Sequence, residues 1–362
     1  MNDFIPPAKP LIGDEERAAV DGVLRSGMLA QGPQVKAFEE EFEAHFRLGR
    51  PCVAVNSGTS GLHLGLLAAG IGAGDEVIVP SFTFAATANS VALTGATPVF
   101  ADIEPDSFCL DPASVEAAIT DRTKAIMPVH LYGHPANMPA LQAIADTHGL
   151  MIFEDAAQAH GAALRGTPVG AFGTFGMFSL YPTKNMTSGE GGMVSCGTDE
   201  IRRLVRLYRN QGMEQQYHNE VVGLNNRMTD IHAAIGRVQL TKVGAWTKRR
   251  QEHAAYLSAN LSGVIPPPVA DSAVHVYHQY TIRVADDRDG LAKSLREEYN
   301  VGSGMFYPVP NHRLPTFQVD VDLPETERAA RECLSLPVHP SLSQGDLERI
   351  VTAVNALAKA GG

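Results

Sequence analysis

Three short segments of the sequence contain side chains whose types and spacing could carry chemistry. The first, residues 56–61 (NSGTSG), follows an apolar run and is rich in Gly, Ser and Thr. Glycine allows a ligand to approach the backbone closely, and a helix that begins there would direct free N–H groups and a positive dipole end at an anion. The same composition also suits an ordinary strand-to-helix turn with a Ser or Thr cap. The segment alone leaves both interpretations open.

The second segment, residues 153–161 (FEDAAQAHG), ends an apolar run with acidic and polar side chains, among them Asp155, Gln158 and His160. Ligands of parallel sheets bind outside the carboxyl ends of the strands. Carboxylates at such an edge are costly to leave without a partner. A surface loop or a helix start is the alternative interpretation of this segment.

The third segment contains Lys184, which lies between an apolar run and a Gly-rich turn at residues 188–192 (SGEGG). A lysine amine can form a Schiff base with a carbonyl compound, although a solvated loop lysine is the more common case for a single lysine. Together the three segments supply what pyridoxal phosphate (PLP) requires. Its phosphate needs an anchor, its ring nitrogen needs an acid partner, and its aldehyde needs an amine.

The alternation of apolar runs with helical stretches indicates which elements position these segments. Strands are predicted at residues 52–55, 76–79, 98–101, 125–129 and 150–154, with helices at 59–69, 85–93, 112–119 and 138–148 between them. Two more strands, 175–180 and 192–196, are expected to return as a hairpin. This order predicts an α/β fold with a mostly parallel, mixed sheet flanked by helices. Two helices, 14–26 and 34–46, precede the sheet.

The remainder of the chain predicts a smaller α+β region. Helices are expected at residues 199–209 and 230–261, and Pro266–Pro268 then interrupt the pattern. A strand at 276–284 and helices at 291–299, 325–333 and 344–358 follow. A chain of 362 residues is long enough for about two domains. We therefore expect a large domain at residues 1–250 and a small one at 251–362.

Composition excludes several classes of protein. With 29 basic and 40 acidic residues the formal charge is −11, which argues against a nucleic-acid partner. No apolar stretch is long enough to cross a membrane. The 4 cysteines are scattered, and the N-terminal residues lack the features of a signal peptide, so a cytoplasmic protein with reduced thiols is expected. His130 and His134 lack a third ligand, and no metal is expected.

Five motifs in combination give the chain a family resemblance. They are SGTS at 57–60, PSFTF at 80–84, EDAAQ at 154–158, Lys184 with SGEGG at 188–192, and NNRM at 225–228. Over nearly its whole length the chain resembles the DegT/DnrJ/EryC1/StrS family of fold-type I PLP enzymes, which are mostly sugar aminotransferases. Asn226 departs from the Tyr or Phe that is frequent in the family at that position.

The resemblance implies a role for each motif residue. Lys184 is expected to form the Schiff base, Asp155 to pair with the pyridinium nitrogen, and Gln158 to reach the phenolic oxygen. Gly58, Thr59 and Ser179 are expected to hold the phosphate, and Ser60 to contact the cofactor. Phe84 is expected to stack on the cofactor ring, although a core position at a helix start is the alternative interpretation. Asn225 matches an asparagine that reaches the phosphate of the neighbouring subunit, which implies a homodimer with shared active sites.

Other residues are expected to meet the substrate. His160 is a candidate for a catalytic position that faces the substrate, although a helix cap or a core position suits it equally. The candidates for substrate contact are Met28, Glu190, Arg227, Tyr307 and His312. For Glu190 a structural role in its turn is the alternative interpretation.

The resemblance also implies a reaction. We expect an amino group to pass from L-glutamate to a keto sugar that is linked to a nucleotide. The turn at residues 187–192 favours amination at C4 over C3, although members that aminate inososes share it. Amination of a keto-cyclitol and a non-catalytic, PLP-binding regulatory paralogue are the alternatives. PLP-dependent sugar dehydratases have histidine in place of the lysine, so Lys184 disfavours that activity.

Overall fold

The computed structural model describes residues 3–358. Its helices are α1 (Asp14–Ser26), α2 (Pro33–Phe46), α3 (Gly58–Ala68), α4 (Ala86–Leu93), α5 (Pro112–Ala118), α6 (Met138–His148), α7 (Asp199–Arg209), α8 (Asp230–Asn260), α9 (Arg288–Tyr299), α10 (Pro324–Glu332) and α11 (Gln344–Ala358). Its strands are β1 (Cys52–Val55), β2 (Glu76–Pro80), β3 (Thr97–Ala101), β4 (Thr123–Ile126), β5 (Met151–Asp155), β6 (Ala163–Leu164), β7 (Thr167–Pro168), β8 (Phe175–Ser179), β9 (Gly192–Cys196), β10 (Met213–Gln215), β11 (His218–Asn219), β12 (Ala273–Val274), β13 (Tyr280–Arg283) and β14 (Cys333–Leu336).

The central sheet has seven strands in the order β1-β9-β8-β5-β4-β2-β3. All of them point the same way except β9, which is antiparallel to both of its neighbours, β1 and β8. The predicted α/β class with a mostly parallel, mixed sheet is confirmed, and so is the hairpin-like return of β8 and β9. Because β1, β2, β5 and β8 run in parallel, their carboxyl ends meet at one edge of the sheet.

Helix α3 lies directly on the face of the sheet. A Cβ atom added at Gly65 would lie 2.6 Å from the Phe175 ring, so only glycine permits this approach. The Ser57 side chain caps the helix by accepting a hydrogen bond from the Ser60 N–H group. The first turn of α3 is therefore held beside the ends of β1 and β8.

The C-terminal part builds a core of its own. The two-stranded sheet β13–β14 packs there with the end of α8 and with α9 and α11 around buried residues such as Tyr280 and Leu295. The predicted strand at 276–284 is shorter, because Tyr277 has φ of 44° and leaves the extended conformation. The division at residue 250 stays a prediction, and residues 359–362 of its second part lie outside the described residues.

Helix α8 is the longest helix of the described chain and continues through residue 250. At its start Asp230 is buried and accepts hydrogen bonds from the N–H groups of Gly32, Gln34 and Val35. This carboxylate therefore caps α2, since it satisfies N–H groups that the first turn of a helix leaves free. Within residues 3–358 no helix is long and apolar enough to cross a membrane.

Candidate active site

A cavity of about 540 Å³ opens at the carboxyl ends of the parallel strands. Its wall includes residues from three of the segments that the sequence singled out. The predicted site residues that line it are Gly58, Thr59, Phe84, Asp155, Gln158, Ser179, Lys184, Glu190 and Tyr307. The predicted site residues outside its lining are Met28, Ser60, His160, Asn225, Arg227 and His312.

The first turn of α3 and the end of β8 form one corner of the cavity. A Cβ atom at Gly58 would lie 3.0 Å from the Ser179 Cβ, so the two segments are in close contact there. Thr59 completes the turn, and it lines the cavity together with Ser179. A helix N-terminus flanked by two hydroxyl groups is suited to a phosphate.

Asp155 is the last residue of β5 and lies on the cavity floor, 4% exposed. Thr87 Oγ1 donates a hydrogen bond to Asp155 Oδ2 at 2.8 Å, and the Ala157 N–H group donates to Oδ1 at 3.1 Å. Burial raises the pKa of Asp155, while the two hydrogen bonds and the charge of Lys184 oppose that rise. A buried carboxylate held in this way suits a cationic ring N–H group.

Lys184 reaches the same cavity from the turn after β8. Its backbone N–H group bonds to the Tyr181 carbonyl, which fixes the turn. The residue is half-buried, and it lines the cavity. Burial lowers the pKa of Lys184 to about 8, against the opposing effect of Asp155. A substantial fraction of the amine is therefore neutral near pH 8, and a neutral amine is the nucleophilic form.

Gln158 is fixed between two groups of the cavity wall. Its Oε1 accepts a hydrogen bond from the Tyr132 N–H group at 2.7 Å, and its Nε2 donates to the Tyr307 hydroxyl at 3.1 Å. Burial raises the pKa of Tyr307, so its hydroxyl stays protonated. Phe84 lies nearby with 59% of its surface exposed, and its ring centroid is 6.0 Å from that of Tyr307.

His160 lies in the core. It is fully buried, and its ring centroid is 5.5 Å from that of Phe178 and 6.3 Å from that of Phe46. Burial lowers the pKa of His160 to about 3, and the nearby charge of Lys184 adds to this effect. Of the positions that the sequence left open for this residue, the structure places it at the core one.

His312 is buried away from the cavity. Its Nδ1 lies 2.7 Å from Ser81 Oγ, and its Nε2 lies 3.1 Å from Glu327 Oε1. These contacts join the segment after β2 to α10. The structure therefore gives this histidine two protein partners in place of a position in the cavity wall.

The remaining predicted residues lie outside the cavity lining of this chain. Arg227 donates a hydrogen bond to Asn210 Oδ1 at 2.7 Å. Asn225 is exposed and pairs with Asn210 through the backbone, and Met28 is 54% exposed. Ser60 Oγ is hydrogen-bonded to the Ser57 hydroxyl at 2.9 Å.

Some polar residues of the site were not predicted from the sequence. Thr87 contacts Asp155 from within α4, and no local pattern distinguishes it from any other helical threonine. His278 and Gln279 also line the cavity. They lie in the segment that was predicted as a strand, where side chains alternate between faces and nothing marks a ligand site.

The donor set fits PLP. A helix N-terminus with hydroxyl groups, a buried carboxylate and an enclosed amine of lowered pKa surround one cavity, and each matches one functional group of this cofactor. Residues 10–355 of the chain match the model of the DegT/DnrJ/EryC1/StrS aminotransferase family. The chain belongs to this family.

Proteins similar to this DegT-family aminotransferase include one named as a sugar transaminase and one named as a regulatory protein. The dTDP-3-amino-3,4,6-trideoxy-alpha-D-glucose transaminase of Streptomyces venezuelae is 43% identical over 95% of this chain and 92% of its own length. A pleiotropic regulatory protein of Geobacillus stearothermophilus is 42% identical over 92% of both chains. The solved PLP form of the putative sugar aminotransferase Spr1654 from Streptococcus pneumoniae superposes with a TM-score of 0.94 at 26% identity, covering 99% of this chain and 100% of that one. Family members bind PLP, and this protein is a PLP-dependent aminotransferase.

Proposed function

We propose that the protein transfers an amino group from L-glutamate to a nucleotide-linked keto sugar. The observation that carries this proposal is the pair of Lys184 and Asp155 in one cavity, an amine of lowered pKa with a buried carboxylate. The name of the Streptomyces venezuelae relative supports the sugar class.

Each residue of the site has a distinct proposed task. When bound, PLP supplies a ring that takes up the electron pair released at the donor carbon. Lys184 holds the cofactor, and its amine then moves a proton between the donor carbon and the cofactor. Asp155, oriented by Thr87, keeps a proton on the ring nitrogen and so stabilises the charge that develops there. Gly58, Thr59 and Ser179 bind the phosphate.

Three further residues shape the cavity around the reacting groups. Gln158 is oriented by the Tyr132 N–H group and by Tyr307, so its remaining amide hydrogen can face the phenolic oxygen of the cofactor. Phe84 provides an aromatic surface for the ring. Glu190 lines the cavity and is the candidate of this chain for contact with sugar hydroxyl groups.

The proposal also concerns which carbon of the sugar ring receives the amino group. The turn at residues 187–192 favours C4, whereas the name of the 43% identical relative contains a 3-amino sugar. We give C3 the preference because that relative covers nearly the whole chain, whereas the turn is short and is shared with inosose aminotransferases. Turnover with nucleotide-linked 3-keto and 4-keto sugars and with an inosose distinguishes these alternatives.

An absorbance scan of the purified holoprotein tests the reaction class first. L-Glutamate should abolish the visible band of the cofactor, and a nucleotide-linked keto sugar should restore it. Mass spectrometry of the product then identifies the aminated carbon. A visible band that no amino donor changes would refute the proposed transfer and favour a regulatory role such as the name of the Geobacillus relative suggests.

We further propose that the active unit is a homodimer with shared sites, in which Asn225 reaches the phosphate of the partner subunit. Phe84 and Tyr181 support this proposal, since these large aromatic residues of the cavity wall are 59% and 48% exposed in the single chain. Exposed apolar surface of this kind is typical of an interface. We also propose a cytoplasmic location, where its buried free cysteines would remain reduced.

Mixing Lys184→Ala with Asn225→Ala, at a PLP concentration too low to sustain activity of Asn225→Ala alone, tests the shared site. In a Lys184→Ala/Asn225→Ala heterodimer with sites built from both subunits, one site carries both substitutions and the other carries neither. Activity should therefore return after subunit exchange, up to about half of the wild-type value per heterodimer. Sites that each belong to one chain would leave every site with one defect, and the mixture would stay inactive.

A further inference from the structure

The rear wall of the cavity is an irregular segment, residues 276–279, held by hydrogen bonds on both flanks. The Val276 N–H group donates to the Gly133 carbonyl at 3.0 Å, and the Gln279 N–H group donates to the Tyr132 carbonyl at 3.2 Å. On the other flank, Asn185 Nδ2 donates to the Val276 carbonyl at 2.9 Å. The segment is therefore fixed although it belongs to no strand.

A buried arginine also anchors this segment. Arg250 of α8 is 6% exposed, and its Nη1 donates to the carbonyls of Tyr277 at 3.1 Å and His278 at 3.4 Å. Within residues 3–358 it forms no ion pair with a carboxylate, and burial lowers its pKa to about 10. A buried cation is costly, so its position against these two carbonyls indicates that the conformation of the segment matters.

The side chain that this arrangement presents to the cavity is that of His278. It is 6% exposed and lines the cavity together with Lys184. Its Nδ1 lies 3.4 Å from Asn185 Oδ1. Because the amide nitrogen of Asn185 already donates to Val276, the Asn185 oxygen must accept, which places the proton of the imidazole on Nδ1. Nε2 is then an acceptor, and it has no hydrogen-bond partner among the described residues.

The imidazole stays neutral in this position. Burial lowers the pKa of His278 well below its ordinary value, and the nearby cationic groups of Lys184 and Arg250 act in the same direction. The Lys184 amine also has no hydrogen-bond acceptor among the described residues. One cavity wall thus contains a neutral acceptor without a donor and an amine without an acceptor.

We propose that His278 is a positioning residue for Lys184: its Nε2 accepts a hydrogen bond from the lysine amine whenever that amine is not bonded to the cofactor. The proposal rests on the assignment of Lys184 as the cofactor-bonding lysine. Without this acceptor, Asp155 is the neighbouring group that attracts the amine. An ion pair with Asp155 would then keep the Lys184 amine protonated, so that it could not act as a base. It would also occupy the Asp155 carboxylate that the ring nitrogen needs.

Two substitutions distinguish the roles of the two ring nitrogen atoms of His278. His278→Gln places an amide oxygen near the position of Nε2 and keeps an acceptor for Lys184, whereas His278→Asn reproduces only the Nδ1 side. His275→Asn is the matched control, since His275 is also buried, accepts the Tyr277 N–H group at Nδ1 and lies outside the cavity lining.

The test measures the reactivity of Lys184 in apoprotein, so it does not depend on any substrate. An amine-reactive acylating reagent is applied from pH 6 to pH 10, and mass spectrometry quantifies the labelled Lys184 peptide. His278→Asn should reduce the labelling rate at pH 8 by about three- to tenfold and move the labelling curve to higher pH. His278→Gln and His275→Asn should behave like the wild type.

The same variants carry an expectation for turnover. His278→Asn, assayed with saturating PLP, should lower kcat by at least about tenfold with the KM for glutamate nearly unchanged. Wild-type labelling in a folded His278→Asn variant, or an equal loss in His278→Gln, would overturn the proposal. Should His278→Asn fail to fold, ¹⁵N-histidine NMR of wild-type apoprotein decides, because a proton on Nε2 of His278 would refute the acceptor role. Failure to aminate any sugar would refute the proposed substrate and leave this labelling result intact.

Discussion

The hydrogen bond from Thr87 to Asp155 gives a sharp test of how the carboxylate is tuned. Thr87→Val keeps the shape of the side chain and removes the hydroxyl that donates to Asp155 Oδ2 at 2.8 Å. Both residues are buried, so water does not replace the lost donor. The ionised form of Asp155 then retains the Ala157 N–H group as its hydrogen-bond donor.

The size of the effect follows from the charge of the acceptor. A hydrogen bond to a charged group contributes about 1.5–3 kcal/mol. Burial already raises the pKa of Asp155, and loss of the Thr87 donor raises it further. The proposed pairing of Asp155 with the ring nitrogen needs the ionised carboxylate, so the acidic limb of the pH profile of PLP binding should move to higher pH. At a pH on that limb, binding should weaken by roughly 10- to 100-fold, since ~1.4 kcal/mol is a factor of ten.

Equilibrium dialysis of PLP against the apoprotein from pH 5 to pH 8 measures this limb. Ser90→Ala is the matched control, because it removes a buried hydroxyl of the same helix that bonds to the Thr87 carbonyl and leaves Asp155 untouched. Above the limb Thr87→Val should bind PLP as well as the wild type. An acidic limb at the same pH in Thr87→Val and wild type would refute the assignment of Thr87.

Three other changes have defined outcomes. Lys184→Ala should abolish amino transfer while circular dichroism and the melting temperature stay near wild-type values; any remaining turnover would contradict the assignment of the lysine. Glu154→Ala should lower the free energy of unfolding in urea by about 3–5 kcal/mol, because it removes the partner of the buried His130 Nε2 and of three backbone N–H groups. Glu154→Gln should lower it less. Asp155→Asn apoprotein should gain stability relative to the wild type as pH rises, because a carboxyl whose folded pKa is raised destabilises the fold once it ionises; urea midpoints from pH 4 to pH 8 that run parallel for both proteins would disprove this.

Regular elements with a clear apolar period were predictable from the sequence. Strands β1 and β9 and helices such as α1, α6 and α7 begin and end where the pattern placed them. The short strands β6, β7, β10, β11 and β12 were not predicted, because two or three residues carry no measurable alternation. The strand β14 was missed for another reason: its first residue, Cys333, continues the helical pattern of α10, and only pairing with β13 makes the segment extended.

For the candidate site, the sequence marked residues that belong to motifs, but not residues that tertiary packing brings to the cavity. Lys184 and Asp155 follow strands in segments of unusual composition, so the sequence could mark them as candidates. Thr87 and His278 reach the site through tertiary packing, since one comes from a helix and the other from an irregular segment. Their contacts depend on side-chain directions that no local pattern encodes.

The spacing of two residues on helix α8 limits where this chain can gain or lose residues. Asp230 holds the start of α2, and Arg250, on the same helix, holds the rear wall of the cavity. Each residue adds ~1.5 Å and ~100° to an α-helix. One inserted residue between these positions would turn Arg250 away from its two carbonyls. We therefore expect related chains to keep residues 230–250 at constant length. The hairpin of β10 and β11, whose tip residue Tyr217 is 87% exposed, should tolerate insertions and deletions.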